Sequence, residues 1–487
     1  MALKNKVQLI TYPDSLGGDL KSLNNVLNKY FADVFEGGVH ILPPFPSSGD
    51  RGFAPLTYMK INDEFGTWDD VKSIGEKFDV VLDVMVNHIS RQSEYFQDFL
   101  QKGRQSKYAD LFITLDKYWE NGEPKQEDID KMFLRRKKPY STFEIAGKQE
   151  KVWTTFGKSE ASEQIDLDVK SKIFKELFSD FFKKFSENNV KIVRLDAVGY
   201  VIKKLGTSCF FVEPDIYEFM NWIKDIANSY GIELLPEVHA YYEIQYRLAE
   251  HGFWIYDFIL PYTVLEALSN KSSKSIKKYL SNRPKNQFTT LDCHDGVPVK
   301  PDVDGLIDTS VARKIVNESV ERGANLSRIL SEEHKDKDGF DVHQINGTYY
   351  SLLNKDDDAY IASRAIQFFT PGIPQVYYVG ALAGENDDEM LKATGDGRGN
   401  NRHNYTLDEI EEAVNTQVVQ RLLKLMRFRN KYEAFDGDFK VMDSNDNELK
   451  LFWQKEDKCC QLNVNLITNK SIIEYIDENG KKINYSL

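Results

Sequence analysis

Eight short apolar runs recur along this chain, most of them separated by segments of helical periodicity. They cover residues 7–12, 39–42, 80–86, 190–195, 232–235, 253–260, 288–291 and 375–379. Residues 173, 174, 177, 178, 181, 182 and 185 are all apolar, which is the stripe of a helix and not the alternation of a strand. Residues 217–227 follow the same pattern. Repeated β–α order implies parallel strands covered by helices, and eight such strands close on themselves. The predicted fold class is α/β: a (β/α)8 TIM barrel with two inserted subdomains and a C-terminal antiparallel β domain.

The inserts follow from two gaps too long for ordinary connections. One lies between His88 and Val190, the other after Asp295. The predicted barrel therefore comprises residues 1–86, 170–296 and 357–432. A first insert takes 87–169, a second insert 297–356, and short alternating runs after about residue 432 form a β domain at 433–487.

Polar residues end several of the strand-like runs. In Arg194-Leu195-Asp196, alternation puts the guanidinium and the carboxylate on one face. The cation keeps the acid ionised, as a nucleophile must be. A structural ion pair is the plain alternative for this pair alone. Glu237 ends the run at 232–235, Asp295 follows 288–291, and Asn87-His88 follow 80–86. Acids at the C-terminal ends of successive strands are how β/α barrels build active sites.

Composition narrows the partners. The 487 residues carry a net charge of −13, which disfavours nucleic acid and anionic membrane surfaces. An anionic substrate would have to meet cations gathered locally, and Arg135, Arg136, Lys137 and Lys138 stand in a row. The four cysteines show no CxxC spacing, so neither a zinc site nor a disulfide framework is expected. No apolar run approaches 18 residues, and no signal peptide is recognisable at Met1. A soluble cytoplasmic protein, monomer or homodimer, is expected.

The set Asp83, Asn87-His88, Arg194-Leu195-Asp196, Glu237 and His294-Asp295 resembles the four signature regions of the α-amylase superfamily of glycoside hydrolases. Further strings resemble its sucrose phosphorylase branch. They are Asp50-Arg51-Gly52-Phe53-Ala54-Pro55, the stretch from Asn87 to Ser93, Gln344-Ile345-Asn346-Gly347-Thr348-Tyr349-Tyr350, the stretch from Pro374 to Gly380, and Gly397-Arg398-Gly399-Asn400-Asn401-Arg402-His403. The resemblance implies Asp196 as nucleophile, Glu237 as general acid/base and Asp295 as transition-state stabiliser. It also implies that Phe53, His88, Arg194, His294 and Arg398 hold a glucosyl unit, with Asp50 beside them. Asn87 matches an amylase calcium ligand, but the branch is not known for that ion. Neither a metal nor a cofactor is expected, and inorganic phosphate is the co-substrate.

Such a site transfers a glucosyl group with retention, through a covalent intermediate and two inversions. Glu237 must begin protonated, and phosphate takes the place of water in the second step. The chain departs from the branch on the acceptor side. Phe133 stands where the branch usually has Tyr, and Asp341-Val342-His343-Gln344 has His343 where it has Tyr. Arg and His bind a phosphomonoester with charge that Tyr lacks. Arg135, Arg136 and His343 are therefore the predicted phosphate-binding residues, with Asp341 and Gln344 on the sugar. The implied substrate is sucrose carrying phosphate on the fructosyl C6. The alternatives are the same chemistry on plain sucrose, a phosphate-independent hydrolase or transglucosidase, and a non-catalytic sugar-binding protein on the same fold.

Overall fold

A computed structural model describes residues 3–329 and 339–487. The chain forms two compact units. One is built on Ile41–Val238, and the other on the chain up to His40, His239–Arg328 and the C-terminal part. The eight expected strands are β1 (Gln8–Thr11), β2 (Gly38–Ile41), β3 (Val80–Met85), β4 (Val190–Asp196), β5 (Glu233–Pro236), β6 (Ile255–Asp257), β7 (Gln287–Thr289) and β8 (Ile373–Tyr377). Their order in the sheet is β6-β7-β8-β1-β2-β3-β4-β5, the cyclic order of a (β/α)8 barrel. Within the first unit β3 pairs with β4 and β4 with β5, all parallel. Within the second, β6, β7, β8 and β1 pair in parallel in turn.

Helix Lys172–Glu187 shows why the apolar stripe was informative. Ser171 caps it by accepting from Phe174 N. Phe174, Phe178, Phe181, Phe182 and Phe185 are all buried. Each such burial contributes about 1.5–3 kcal/mol before entropy is counted. That packing secures the helix that leads directly into β4.

Two strands differ most from the sequence reading. The run at 253–260 becomes strand only over Ile255–Asp257, because the Asp257 side chain then accepts from Ile259 N and Leu260 N. This starts helix Leu260–Asn270, with Pro261 in its first turn. The run at 375–379 shifts back to Ile373–Tyr377, and Tyr378–Ala381 turns helical. An apolar run that is buried throughout carries no periodicity to mark where strand ends and helix begins.

Within 87–169, His88–Ser90 pairs antiparallel with Gln164–Asp166, and Tyr140–Ile145 with Lys148–Trp153. Within 297–356, Val342–Asn346 lies between Val297–Pro298 and Asn325–Arg328. Five consecutive antiparallel strands, from Asp438–Met442 to Lys482–Ser486, form the C-terminal sheet. Among the described residues, no helix is long and apolar enough to cross a membrane.

Candidate active site

In the first unit, β4 delivers Arg194 and Asp196 to one face, as alternation requires. Arg194 Nη1 lies 3.0 Å from Asp196 Oδ1. The same nitrogen also contacts Asp83, its register partner on β3. Arg194 Nη2 lies 2.6 Å from Glu237 Oε1. One buried guanidinium thus serves three carboxylates, of which the sequence had paired it only with Asp196. Three acids this close repel one another when ionised; one shared guanidinium, with a proton kept on one of the three, relieves that repulsion. Ala197 follows the strand with φ 54°, a turn costing roughly 1 kcal/mol for a non-glycine residue. Its N–H points to Glu237 Oε2 at 3.3 Å.

Phe53 and His88 are placed in the same unit. The turn Asp50–Gly52 runs through left-handed conformations at Asp50, Arg51 and Gly52 and delivers Phe53. The Phe53 ring lies 5.8 Å from the Arg194 guanidinium carbon. Its carbonyl accepts from His88 Nε2 at 3.0 Å and from Gln164 Nε2 at 2.9 Å. Burial pushes the His88 pKa down, against the opposing pull of Asp166 and the Phe53 carbonyl. Folding therefore holds His88 towards its neutral form. Phe133, Ala197 and Tyr200 form a buried apolar cluster with Phe156 and Phe210 packed on it.

The second unit carries Asp295. Arg398 Nη1 lies 2.6 Å from its Oδ1, Arg402 Nη2 3.8 Å from the same atom, and His294 Nε2 3.8 Å from Oδ2. Burial pushes the Asp295 carboxyl up, but His294, Arg398 and Arg402 outweigh it and hold the group well below the usual range. Arg402 also donates twice to the His294 carbonyl, and Asn401 donates to the Cys293 carbonyl. The turn bearing the acid is thereby fixed from behind. His343 and Gln344 lie buried on strand Val342–Asn346, and Asp341 pairs with Arg328.

The chain belongs to the α-amylase family. The family described as alpha amylase, catalytic domain, matches residues 5–282, more than half of the chain. A sucrose 6(F)-phosphate phosphorylase of Thermoanaerobacterium thermosaccharolyticum is 67% identical, with 100% of each chain covered. A sucrose phosphorylase of Streptococcus mutans is 44% identical, with 94% of each covered. The crystal structure of a sucrose 6F-phosphate phosphorylase from Thermoanaerobacter thermosaccharolyticum superposes with a TM-score of 0.99 at 66% identity, covering 100% of this chain and 99% of that one. Within the α-amylase family the chain is therefore a member of the sucrose phosphorylase branch.

One family feature does not fit. Around Asn87, where amylases hold calcium, a lysine ammonium already fills the oxygen cage. Lys203 Nζ lies 2.6 Å from Asp166 Oδ2 and donates to Asn87 Oδ1 at 2.9 Å, Thr155 Oγ1 at 3.1 Å and the Tyr200 carbonyl at 2.6 Å. Its side chain is 1% exposed. A dication cannot share that centre with an ammonium.

Sequence reasoning missed Lys203, because nothing in Val201-Ile202-Lys203-Lys204 marks which lysine turns inward. It also passed over Arg402, although that residue stands in the quoted Gly397–His403 string. Of the basic run, Arg136 is committed within the insert. Its Nη1 donates to Ser141 and Thr154, and its Nη2 to the carbonyls of Ser159 and Glu160. Burial pulls its pKa down. The Arg135 guanidinium carbon lies 5.9 Å from the Phe156 ring centre.

Proposed function

We propose that the protein is a sucrose 6(F)-phosphate phosphorylase, a glycosyltransferase of the disaccharide phosphorylase class. The observation that carries this reading is the 67% identity, end to end, with a phosphorylase of that name. His343 on a buried acceptor-side strand supports it over action on plain sucrose, since an imidazolium can meet a phosphomonoester and a phenol cannot match that charge.

In this reading Asp196, held ionised by Arg194, attacks the anomeric carbon of the glucosyl unit. Glu237 donates its proton to the bridging oxygen, and fructose 6-phosphate departs. Inorganic phosphate then attacks the glucosyl-enzyme, Glu237 takes its proton, and α-D-glucose 1-phosphate leaves with Asp196 restored. Asp295, held ionised by His294, Arg398 and Arg402, stabilises positive charge developing on the ring. Phe53, His88, Arg194, His294 and Arg398 hold the glucosyl unit; Arg135 and His343 meet phosphate. Arg136 acts by shaping the insert loop. No metal or cofactor takes part. A doubly charged sugar phosphate does not cross a membrane unaided, which suits a cytoplasmic enzyme.

The test is a paired assay of sucrose 6-phosphate and sucrose, each with and without inorganic phosphate. Phosphate-dependent release of glucose 1-phosphate, with the higher kcat/KM on the phosphorylated substrate, is expected. Equal or better turnover of sucrose would move the assignment to plain sucrose phosphorylase. Glucose release at the same rate without phosphate would overturn the phosphorylase reading.

A further inference from the structure

A phosphomonoester dianion in an acidic protein needs more than one cation or charged donor. His239 lies two residues beyond Glu237 in the chain. In the second unit its ring stacks on Phe258, with centroids 4.0 Å apart and planes at 19°. It stands edge-on to His343, with centroids 5.8 Å apart and planes at 73°. Its Nδ1 edge faces Asp302, 3.3 Å from Oδ2. The Asp302 side chain has no exposure, and Gln245 Nε2 donates to its other oxygen at 3.0 Å. The same amide nitrogen donates to the Ala240 carbonyl at 3.0 Å, so the carboxylate is tied to the segment carrying His239.

His343 is oriented from the same loop. Its Nδ1 donates to the Lys300 carbonyl at 2.6 Å, two residues before Asp302. One loop therefore addresses two adjacent imidazoles, one through a backbone carbonyl and the other through a buried carboxylate. Burial pushes the Asp302 carboxyl up, and His239 and the Gln245 amide pull against that rise.

We propose that Asp302 is a positioning residue for acceptor recognition: it locks the His239 ring with Nδ1 protonated, so that His239 and His343 together clamp the phosphate of fructose 6-phosphate. This rests on the sucrose 6-phosphate reading above. With Nδ1 engaged by Asp302, Nε2 is the atom through which His239 meets a ligand. A carboxylate buried for packing alone would serve phosphorylated and plain fructose alike.

The reverse reaction separates these cases, because α-D-glucose 1-phosphate is the common donor and only the acceptor changes. The ratio of kcat/KM for fructose 6-phosphate to that for fructose is the readout. In Asp302→Asn, which keeps the shape and drops the charge, the ratio falls about tenfold, chiefly through KM for fructose 6-phosphate. His239→Gln lowers it similarly, and the double variant falls no further than His239→Gln alone, because both act through one ring. An unchanged ratio in either single variant, or additive losses in the double, overturns the proposal. Should Asp302→Asn fail to fold, the His239→Gln ratio still decides. If the unaltered enzyme shows no preference for fructose 6-phosphate over fructose, the functional reading itself falls, and Asp302 loses its assigned task with it.

Discussion

Replacing Lys203 by Met keeps the stem and removes the ammonium from the centre of four oxygens. Asp166, whose side chain has no exposure, then holds a buried negative charge without its cation. Removing one partner of a buried pair costs about 3–5 kcal/mol. Thr155 still donates to Asp166 through both its N–H, at 2.8 Å, and its hydroxyl, at 2.5 Å. The lower end, about 3 kcal/mol, is therefore expected for Lys203→Met. Adding Asp166→Asn removes the orphaned charge and should return about 1.5–3 kcal/mol as a coupling term. Urea unfolding followed by tryptophan fluorescence reads both, since Trp153 lies 5.7 Å from Lys203 Nζ. The cage also ties Asn87, next to His88, to Tyr200, four residues beyond Asp196. Lys203→Met should accordingly raise KM for the glucosyl donor as well. A loss below about 1 kcal/mol, or no recovery in the double variant, would refute the view that this ammonium holds the two segments together.

The same cage predicts that dialysis against EDTA leaves phosphorolysis and the thermal midpoint unchanged; a loss restored by calcium would contradict it. Glu237→Gln should lower kcat on sucrose 6-phosphate about 10²–10⁴-fold, while α-glucosyl fluoride, whose leaving group needs no proton, is far less affected in the first step. An equal loss on both donors would remove Glu237 from the acid role. His343→Tyr should reduce kcat/KM for sucrose 6-phosphate about tenfold more than for sucrose. Arg136→Ala, which breaks four hydrogen bonds inside the insert, should weaken both substrates alike and lower stability. Selective loss in Arg136→Ala would restore it as a phosphate ligand. Because burial depresses the His88 pKa below 6.5, folding favours its neutral form. Its stabilising contribution is complete above pH 6.5 and is lost as pH falls through the lower folded value. His88→Gln should flatten that part of the stability profile; an unchanged slope would show that His88 is not its source.

Much of the fold was legible because its signals are local. Strand runs and the Phe174–Phe185 helical stripe record, residue by residue, which face is buried. Arg194 and Asp196 could be placed side by side from spacing alone, since alternation along one strand needs no knowledge of the rest of the chain. The remainder depended on partners far apart in sequence. Arg194 also meets Glu237, 43 positions away in sequence by residue number, and Asp83 on the neighbouring strand. Arg136 read as a phosphate ligand within a basic run, yet Ser141, Thr154 and the carbonyls of Ser159 and Glu160 engage both ends of its guanidinium. Lys203 and Asp302 gave no sign at all, because burial of a charge is decided by what folds over it. The barrel, its strand-end acids and the family thus follow from residues read in order along the chain. Which charges hold the molecule together is settled by folding, because desolvation and pairing are properties of the assembled surroundings and not of the residue.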